Sequence, residues 1–242
     1  MIGKSFCLLL ITLGLTICRS NAQTAHPDTM SYSNAEKAAI QNFNTAIGDQ
    51  SEIYNGAEYK LYPPAYKGSP YFQDKNHGTP SLIFYNGTWY KNIPVLYDVF
   101  NDEMIGTLND NMFVLRSDKL SEVYLSDHHF IYLDIKNDNS LNPGFYDELY
   151  NGKTQVLVKR VRTVQSSVNQ QAVVVVYETK DVIYIKKGNS YRQVSSKGSV
   201  MDVLKDKKKQ LSQYLSDNKI KYNNDREASI AKLAGYYDQI SN

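Results

Sequence analysis

Between residues 82 and 194 the chain repeats short apolar runs separated by turn residues, and this pattern constrains its fold more than any other feature. The runs recur at intervals of roughly 8–12 residues, which is typical of an antiparallel meander. Asn86-Gly87 separates the first two runs and is the strongest local signal for a β-hairpin. The predicted strands are 82–85, 88–93, 95–100, 104–108, 112–115, 122–125, 130–135, 145–150, 154–164, 172–177, 182–186 and 191–194.

This pattern predicts a mainly β fold. We expect a single domain over residues 33–242, built on an antiparallel meander of about ten strands that closes as a barrel or curls as a half-barrel. A capping-box pattern, Ser33-x-x-Glu36, predicts a short N-terminal helix that ends at Gly48.

Two C-terminal helices are predicted over residues 199–242. They begin at Ser199-x-x-Asp202 and Asn224-x-x-Glu227, and each carries an apolar stripe at helical spacing. Residues 172–177 are apolar on both faces, so we expect the helices to cover that strand. The side chains predicted to be buried are Val203, Leu204, Leu211, Leu215, Leu233 and Tyr237.

Residues 1–22 have the features of a secretory signal peptide. Lys4 lies before an apolar stretch over residues 6–17, and Ser20-Asn21-Ala22 is a small-x-small cleavage site. The stretch is shorter than the roughly 20 residues that span a bilayer. We therefore predict cleavage between Ala22 and Gln23, a flexible segment over 23–32 and no transmembrane span in the mature chain. A lipoprotein signal ending at Cys18 is the alternative.

Removal of this segment would change the chemistry of the chain. Cys7 and Cys18 are the two cysteines, so the mature chain would have no disulfide, thiol nucleophile or cysteine-ligated metal. The remaining charges are unevenly distributed, because residues 23–152 are acidic and residues 153–221 are basic. Either the two halves attract each other, or a basic face meets anionic glycans or lipids. No nucleic-acid-binding motif is present, and none is expected in an exported chain.

The sequence contains no recognised catalytic motif. The serine elbow Gly-x-Ser-x-Gly, phosphate-binding glycine loops and the zinc motif His-Glu-x-x-His are all missing. His128 and His129 are neighbours in a predicted strand and should point to opposite faces, which disfavours joint metal ligation. The same holds for the carboxylates of Asp147 and Glu148. We therefore predict no catalytic residue, no metal site and no cofactor.

The aromatic content is the unusual feature, with 20 tyrosines, 8 phenylalanines and 1 tryptophan. Many of these rings lie in the proline-rich segment 49–80, which cannot form a central strand. The rings either pack the segment onto the sheet or face outwards as a stacking surface. We predict a binding surface beside the Asn86-Gly87 hairpin that comprises Tyr66, Tyr71, Phe72 and Trp89.

Five segments carry a resemblance to known sequences: YNGAEY (54–59), GSPYF (68–72), YNGTWY (85–90), IPVLYD (93–98) and GFYDELYNG (144–152). Over roughly residues 50–240 the chain resembles a group of exported β-rich proteins of Bacteroidota to which no activity is assigned. The resemblance implies a location in the cell envelope and implies no site residues.

These features predict an exported protein of the periplasm or extracellular space, with association with the outer membrane as an alternative. Its expected function is non-catalytic binding or assembly, with a glycan or an envelope protein as the partner. A glycan-acting hydrolase and a periplasmic lipid or lipoprotein carrier are the alternatives. The sequence does not specify an oligomeric state.

Overall fold

The computed structural model describes residues 39, 52–62, 66–135, 141–168 and 173–241. The predicted signal peptide, the flexible segment 23–32 and the N-terminal helix over 33–48 lie outside these residues, apart from Ala39. None of the helices within the described ranges is long and apolar enough to cross a membrane.

The described residues form thirteen strands. They are β1 (Tyr66–Lys67), β2 (Thr79–Tyr85), β3 (Thr88–Asp98), β4 (Glu103–Leu108), β5 (Asn111–Val114), β6 (Leu120–Leu125), β7 (His128–Leu133), β8 (Gly144–Tyr150), β9 (Val156–Lys159), β10 (Arg162–Val168), β11 (Val173–Thr179), β12 (Val182–Lys187) and β13 (Ser190–Val194). Ten of them make one antiparallel sheet in the order β13-β12-β9-β8-β7-β6-β2-β3-β4-β5. The mainly β antiparallel fold is confirmed, but this sheet is open and does not close into a barrel.

Two hairpins show why the turn residues predicted the pairing of neighbouring strands, although the sheet departs from a simple meander because β6 pairs with β2 instead of β5. Asn86 and Gly87 have φ angles of 47° and 80°, and Asn109 and Asp110 have φ angles of 47° and 64°. Two-residue hairpins of this left-handed type match the twist of the strands, and asparagine, aspartate and glycine adopt it at the lowest cost.

A second sheet within the described residues was not predicted. It has three strands in the order β1-β11-β10, with β1 parallel to β11. The predicted strand 154–164 is wrong, because the chain leaves the large sheet after Lys159 and begins β10 at Arg162. At this break the backbone N–H of Val161 donates to Asp181 Oδ1 at 3.0 Å instead of to a neighbouring strand. Conversely, the two runs predicted between residues 88 and 100 form the single strand β3.

Three α-helices follow the strands: α1 (Lys197–Val203), α2 (Lys208–Asp217) and α3 (Arg226–Ile240). Two were predicted, and a short 3₁₀ turn separates α1 from α2. Ser196 caps α1 in a capping box with Ser199, so the helix begins before the predicted position. Asp225 caps α3 by accepting the N–H of Ala228 at 2.9 Å.

The helices cover one end of one face of the large sheet, which we call the helix face. All six side chains predicted to be buried are buried, including Leu204, Leu211 and Leu233 at 0% exposure. They pack on Val156, Val158, Ile183, Ile185 and Val194. The expectation that they cover 173–176 is wrong, because β11 pairs with β1 and β10 in the small sheet. A second core lies on the helix face towards β2–β7, around Tyr97, Phe130 and Phe145.

The segment 57–59 covers one edge of the large sheet. Tyr59 N–H donates to Met112 O at 2.9 Å, and Val114 N–H donates to Ala57 O at 2.8 Å. A Cβ at Gly56 would lie 1.8 Å from Val114 O, so this close approach requires glycine. The edge strand β5 is thereby shielded from pairing with other chains.

Candidate functional site

Two of the predicted binding residues lie in the interior of the protein. Tyr71 is 7% exposed and Phe72 is 8% exposed, so the prediction that Tyr71 faces outwards is wrong. The cause is backbone pairing, because Tyr71 bridges Asp98 and Val99 N–H donates to Pro70 O at 3.0 Å. This pairing holds the proline-rich segment against the end of β3. Tyr66 lies in β1, and its side chain is outside the described part of the chain.

A buried carboxylate organises the tyrosines of this segment. Asp98 is 0% exposed and accepts hydrogen bonds from Tyr59 Oη at 2.8 Å and Tyr62 Oη at 2.7 Å. Its other oxygen accepts the backbone N–H groups of Phe100 and Asn101 at 3.0 and 3.1 Å. Burial first, and then hydrogen bonding with Tyr71 and Asp98, raises the pKa of Tyr59. The hydroxyl groups of Tyr59 and Tyr62 thus attach the segment to the sheet.

Trp89 takes part in a different aromatic surface, on the face of the sheet opposite the helix face. We define the aromatic row as Phe84, Trp89, Tyr124 and His129, from strands β2, β3, β6 and β7. The ring centroids of Phe84 and Trp89 are 4.9 Å apart, and those of Trp89 and Tyr124 are 6.0 Å apart. Tyr124 stacks on His129 with a centroid distance of 4.2 Å and an interplanar angle of 11°.

This row is open to solvent. Tyr124 is 40% exposed, and the other three side chains are half-buried. Of its four members only Trp89 was predicted. The missing signal was strand register: Phe84 pairs with Trp89, and Tyr124 pairs with His129. Side chains directly opposite on neighbouring antiparallel strands share a face, so correct pairing would have grouped these rings.

Carboxylates lie beside the aromatic row. His129 Nε2 is 3.1 Å from Glu122 Oε2, and His129 Nδ1 is 3.0 Å from Glu148 Oε2. Burial, followed by the charges of Glu122 and Glu148, raises the pKa of Tyr124, and its neutral phenol can donate a hydrogen bond. The row therefore combines flat apolar ring surfaces with hydrogen-bonding groups, the usual composition of a site for a ligand with both apolar and hydroxyl-bearing faces.

The helix face holds a buried ionic cluster at the point where the chain leaves the large sheet. Arg160 is 7% exposed and donates from Nε to Asp147 Oδ2 at 3.1 Å, and from Nη1 to Asp181 Oδ2 at 2.9 Å. Its Nη1 also donates to Glu227 Oε1 at 2.7 Å. His128 Nδ1 is 2.7 Å from Asp147 Oδ2, and this hydrogen bond raises the pKa of His128. The cluster joins the sheet to the first turn of α3.

His128 and His129 thus lie on opposite faces of the sheet, as predicted from their neighbouring positions in one strand. His128 contacts Asp147 on the helix face, while His129 contacts Glu122 and Glu148 on the other. Within the described ranges no group of three or more His, Cys, Asp and Glu side chains could hold a metal ion. His77 Nδ1 lies 3.1 Å from the side-chain oxygen of Asn76.

No family model, no curated protein and no solved structure matches the chain.

Proposed function

We propose that this chain is an exported cell-envelope protein that binds a glycan through the aromatic row without transforming it. The observation that carries the proposal is the continuous surface of Phe84, Trp89, Tyr124 and His129, with Trp89 6.0 Å from Tyr124. Aromatic rings offer a large, rigid contact area at low entropic cost, and the part-exposed carboxylate of Glu122 beside them can accept hydrogen bonds from sugar hydroxyls.

The export part of the proposal rests on the first 22 residues. The small-x-small pattern at Ser20-Asn21-Ala22 follows an apolar stretch of signal-peptide length. The native protein should therefore begin at Gln23 and contain no cysteine. Intact-mass measurement of protein from the native host checks this. A mass that includes Cys18 and acyl chains would replace secretion with lipoprotein anchoring, and an intact N-terminus would overturn export.

The binding part is tested by co-sedimentation with insoluble glycans. Purified residues 23–242 are mixed with peptidoglycan sacculi, cellulose or chitin, and bound protein is measured across protein concentrations. We expect at least one glycan to bind, and Trp89→Ala to raise the Kd about thirtyfold, the effect of losing an aromatic anchor. Thermal stability of both proteins is measured alongside.

Phe100→Ala is the matched control, because Phe100 is also an exposed ring, at 40%, but packs on Tyr62 and Tyr177 away from the row. It should sediment like the wild type. If Trp89→Ala and Phe100→Ala both lose glycan binding, or if neither does, the aromatic row is not the glycan-binding site. Release of soluble sugars by the wild type would favour the hydrolase. Binding to an envelope protein that depends on Trp89, with no glycan bound, would identify a protein partner instead.

A further inference from the structure

A second surface with ligand-site chemistry lies on the helical layer, between α2 and α3. A groove of about 600 Å³ opens there, within the size range of small-molecule sites. Its walls include Tyr214 and Tyr236 and the polar side chains of Gln210, Gln213, Asp217 and Asn218. Leu211 and Leu215 of the same helix α2 face the sheet, so the groove lies on the outer side of the helices.

The two tyrosines form an ordered platform. Their ring centroids are 4.2 Å apart and their planes differ by 9°, so the rings are stacked in parallel. Both side chains are half-buried, and both line the groove. Each ring covers the inner face of the other and restricts its rotation, so the outer face of the pair is fixed in place before any ligand arrives. Such preorganisation lowers the entropic cost of binding.

The polar side chains are held in place by local hydrogen bonds. Gln213 Nε2 donates to Asp217 Oδ1 at 2.7 Å, and Asn218 Nδ2 donates to the backbone oxygen of Tyr214 at 2.9 Å. These two bonds leave the side-chain carbonyl oxygens of Gln213 and Asn218 and the second oxygen of Asp217 to accept further bonds.

The balance of groups selects the ligand class. Several acceptors and the amide of Gln210 surround the rings, and the single ammonium of Lys209 is matched by the carboxylate of Asp217. An anion would find no excess positive charge there, and a purely apolar ligand would leave the polar groups unpaired. A hydroxyl group both donates and accepts, so a neutral sugar satisfies this set while its C–H face covers the rings.

We propose that the groove between α2 and α3 binds one pyranose unit of a neutral glycan, stacked on the Tyr214–Tyr236 pair. This site is separate from the aromatic row, since α2 packs on the helix face and the row lies on the opposite face of the sheet. With both sites occupied, one molecule would hold two glycan segments on its two sides.

Saturation-transfer NMR tests this with three probes: methyl β-glucopyranoside, methyl β-galactopyranoside and methyl N-acetyl-β-glucosaminide. We expect saturation transfer to the ring C–H protons of at least one probe in the wild type. Tyr236→Ala should weaken binding about tenfold, whereas Tyr236→Phe, which keeps the ring, should stay within about twofold. The comparison is made in the Trp89→Ala background, which removes the contribution of the aromatic row, and Trp89→Ala by itself should still show saturation transfer from the groove.

A double variant provides a second test of the site in case Tyr236→Ala fails to fold. Gln213 and Asp217 are exposed, so Gln213→Ala with Asp217→Ala removes polar partners without disturbing the core, and it should also weaken binding about tenfold. The site is overturned if none of the probes shows transfer, or if both variants retain wild-type binding. It is also overturned if Trp89→Ala abolishes the signal. None of these three results would affect co-sedimentation that depends on Trp89. The proposal for the groove can therefore fail while the proposal for the aromatic row stands.

Discussion

At the scale of single residues, some charges of the acidic part and the basic part of the sequence form ion pairs with each other in the fold. The acidic first part and the basic second part meet in ion pairs: Lys159 Nζ lies 2.5 Å from Asp102, and Arg162 Nη2 lies 3.6 Å from Asp74. Arg160 pairs with Asp147 of the acidic part, and also with Asp181 and Glu227, which lie outside that part. Burial lowers the pKa of Lys159, and Asp102 opposes this effect. These ion pairs show that part of the charge asymmetry is neutralised between the two parts of the chain.

His128 makes the ionic cluster sensitive to pH. Its folded-state pKa is raised, mainly by the hydrogen bond to Asp147, so the protonated ring stabilises the fold. The contribution is complete below the unfolded pKa of about 6.5 and is lost as pH rises through the higher folded value. We expect the free energy of unfolding to fall with rising pH in this window. One proton limits the slope to about 1.4 kcal/mol per pH unit, and solvent reduces it further.

Urea denaturation at a series of pH values measures this slope. In His128→Gln the fall across the window should be largely removed. His77→Gln is the control, since His77 is exposed and lies beside Asn76. If the wild type and His128→Gln show the same pH dependence, the bond between His128 and Asp147 does not stabilise the fold in this way.

At the scale of elements, the helices complete a core that the sheet cannot close alone. Leu211 of α2 is 0% exposed and packs with Val158 and Ile183 of the sheet. We expect Leu211→Ala to lower the free energy of unfolding by about 2–5 kcal/mol, the cost of deleting a large buried side chain. Chemical denaturation measures the change. Ser212→Ala, on the exposed side of the same helix, should stay within about 0.5 kcal/mol.

Removal of residues 199–242 tests the packing of all the C-terminal helices on the sheet. The truncated chain should aggregate because the apolar side chains of Val156, Val158, Ile183 and Ile185 lose their cover. This differs from the expectation that the helices cover residues 172–177, because the strands that they cover include β9 and β12. A soluble truncated chain with the wild-type denaturation midpoint would contradict the packing of the helices on the sheet.

At the scale of the whole molecule, the large sheet joins two hydrophobic cores, the core around Tyr97 and the core under the helices. Phe145 of β8 belongs to the core around Tyr97, while Tyr150 of the same strand packs against the helix-covered core. Asp147 lies between them and is bonded to Arg160. A shared strand and a shared ionic cluster favour unfolding of both ends together.

We therefore expect a single cooperative transition for the described fold. Fluorescence of Trp89, the one tryptophan, reports on the β2–β3 end, and far-UV circular dichroism reports mainly on the helices. The two signals should give the same midpoint in urea. Separate midpoints would mean that the helix-covered end and the β3–β5 end are independent units.

What the sequence determined by itself was local. The short apolar runs between turn residues, the left-handed turn residues at Asn86-Gly87 and the apolar stripes of the C-terminal helices predicted most of the strands, their antiparallel hairpins and six buried side chains. These features depend on neighbours in the chain, and for that reason a single sequence reveals them. The tertiary structure alone decided the open sheet, the small sheet of β1, β10 and β11, and the burial of Tyr71. It also brought Tyr124 and His129 beside Trp89, because register and face depend on pairing between residues far apart in the chain.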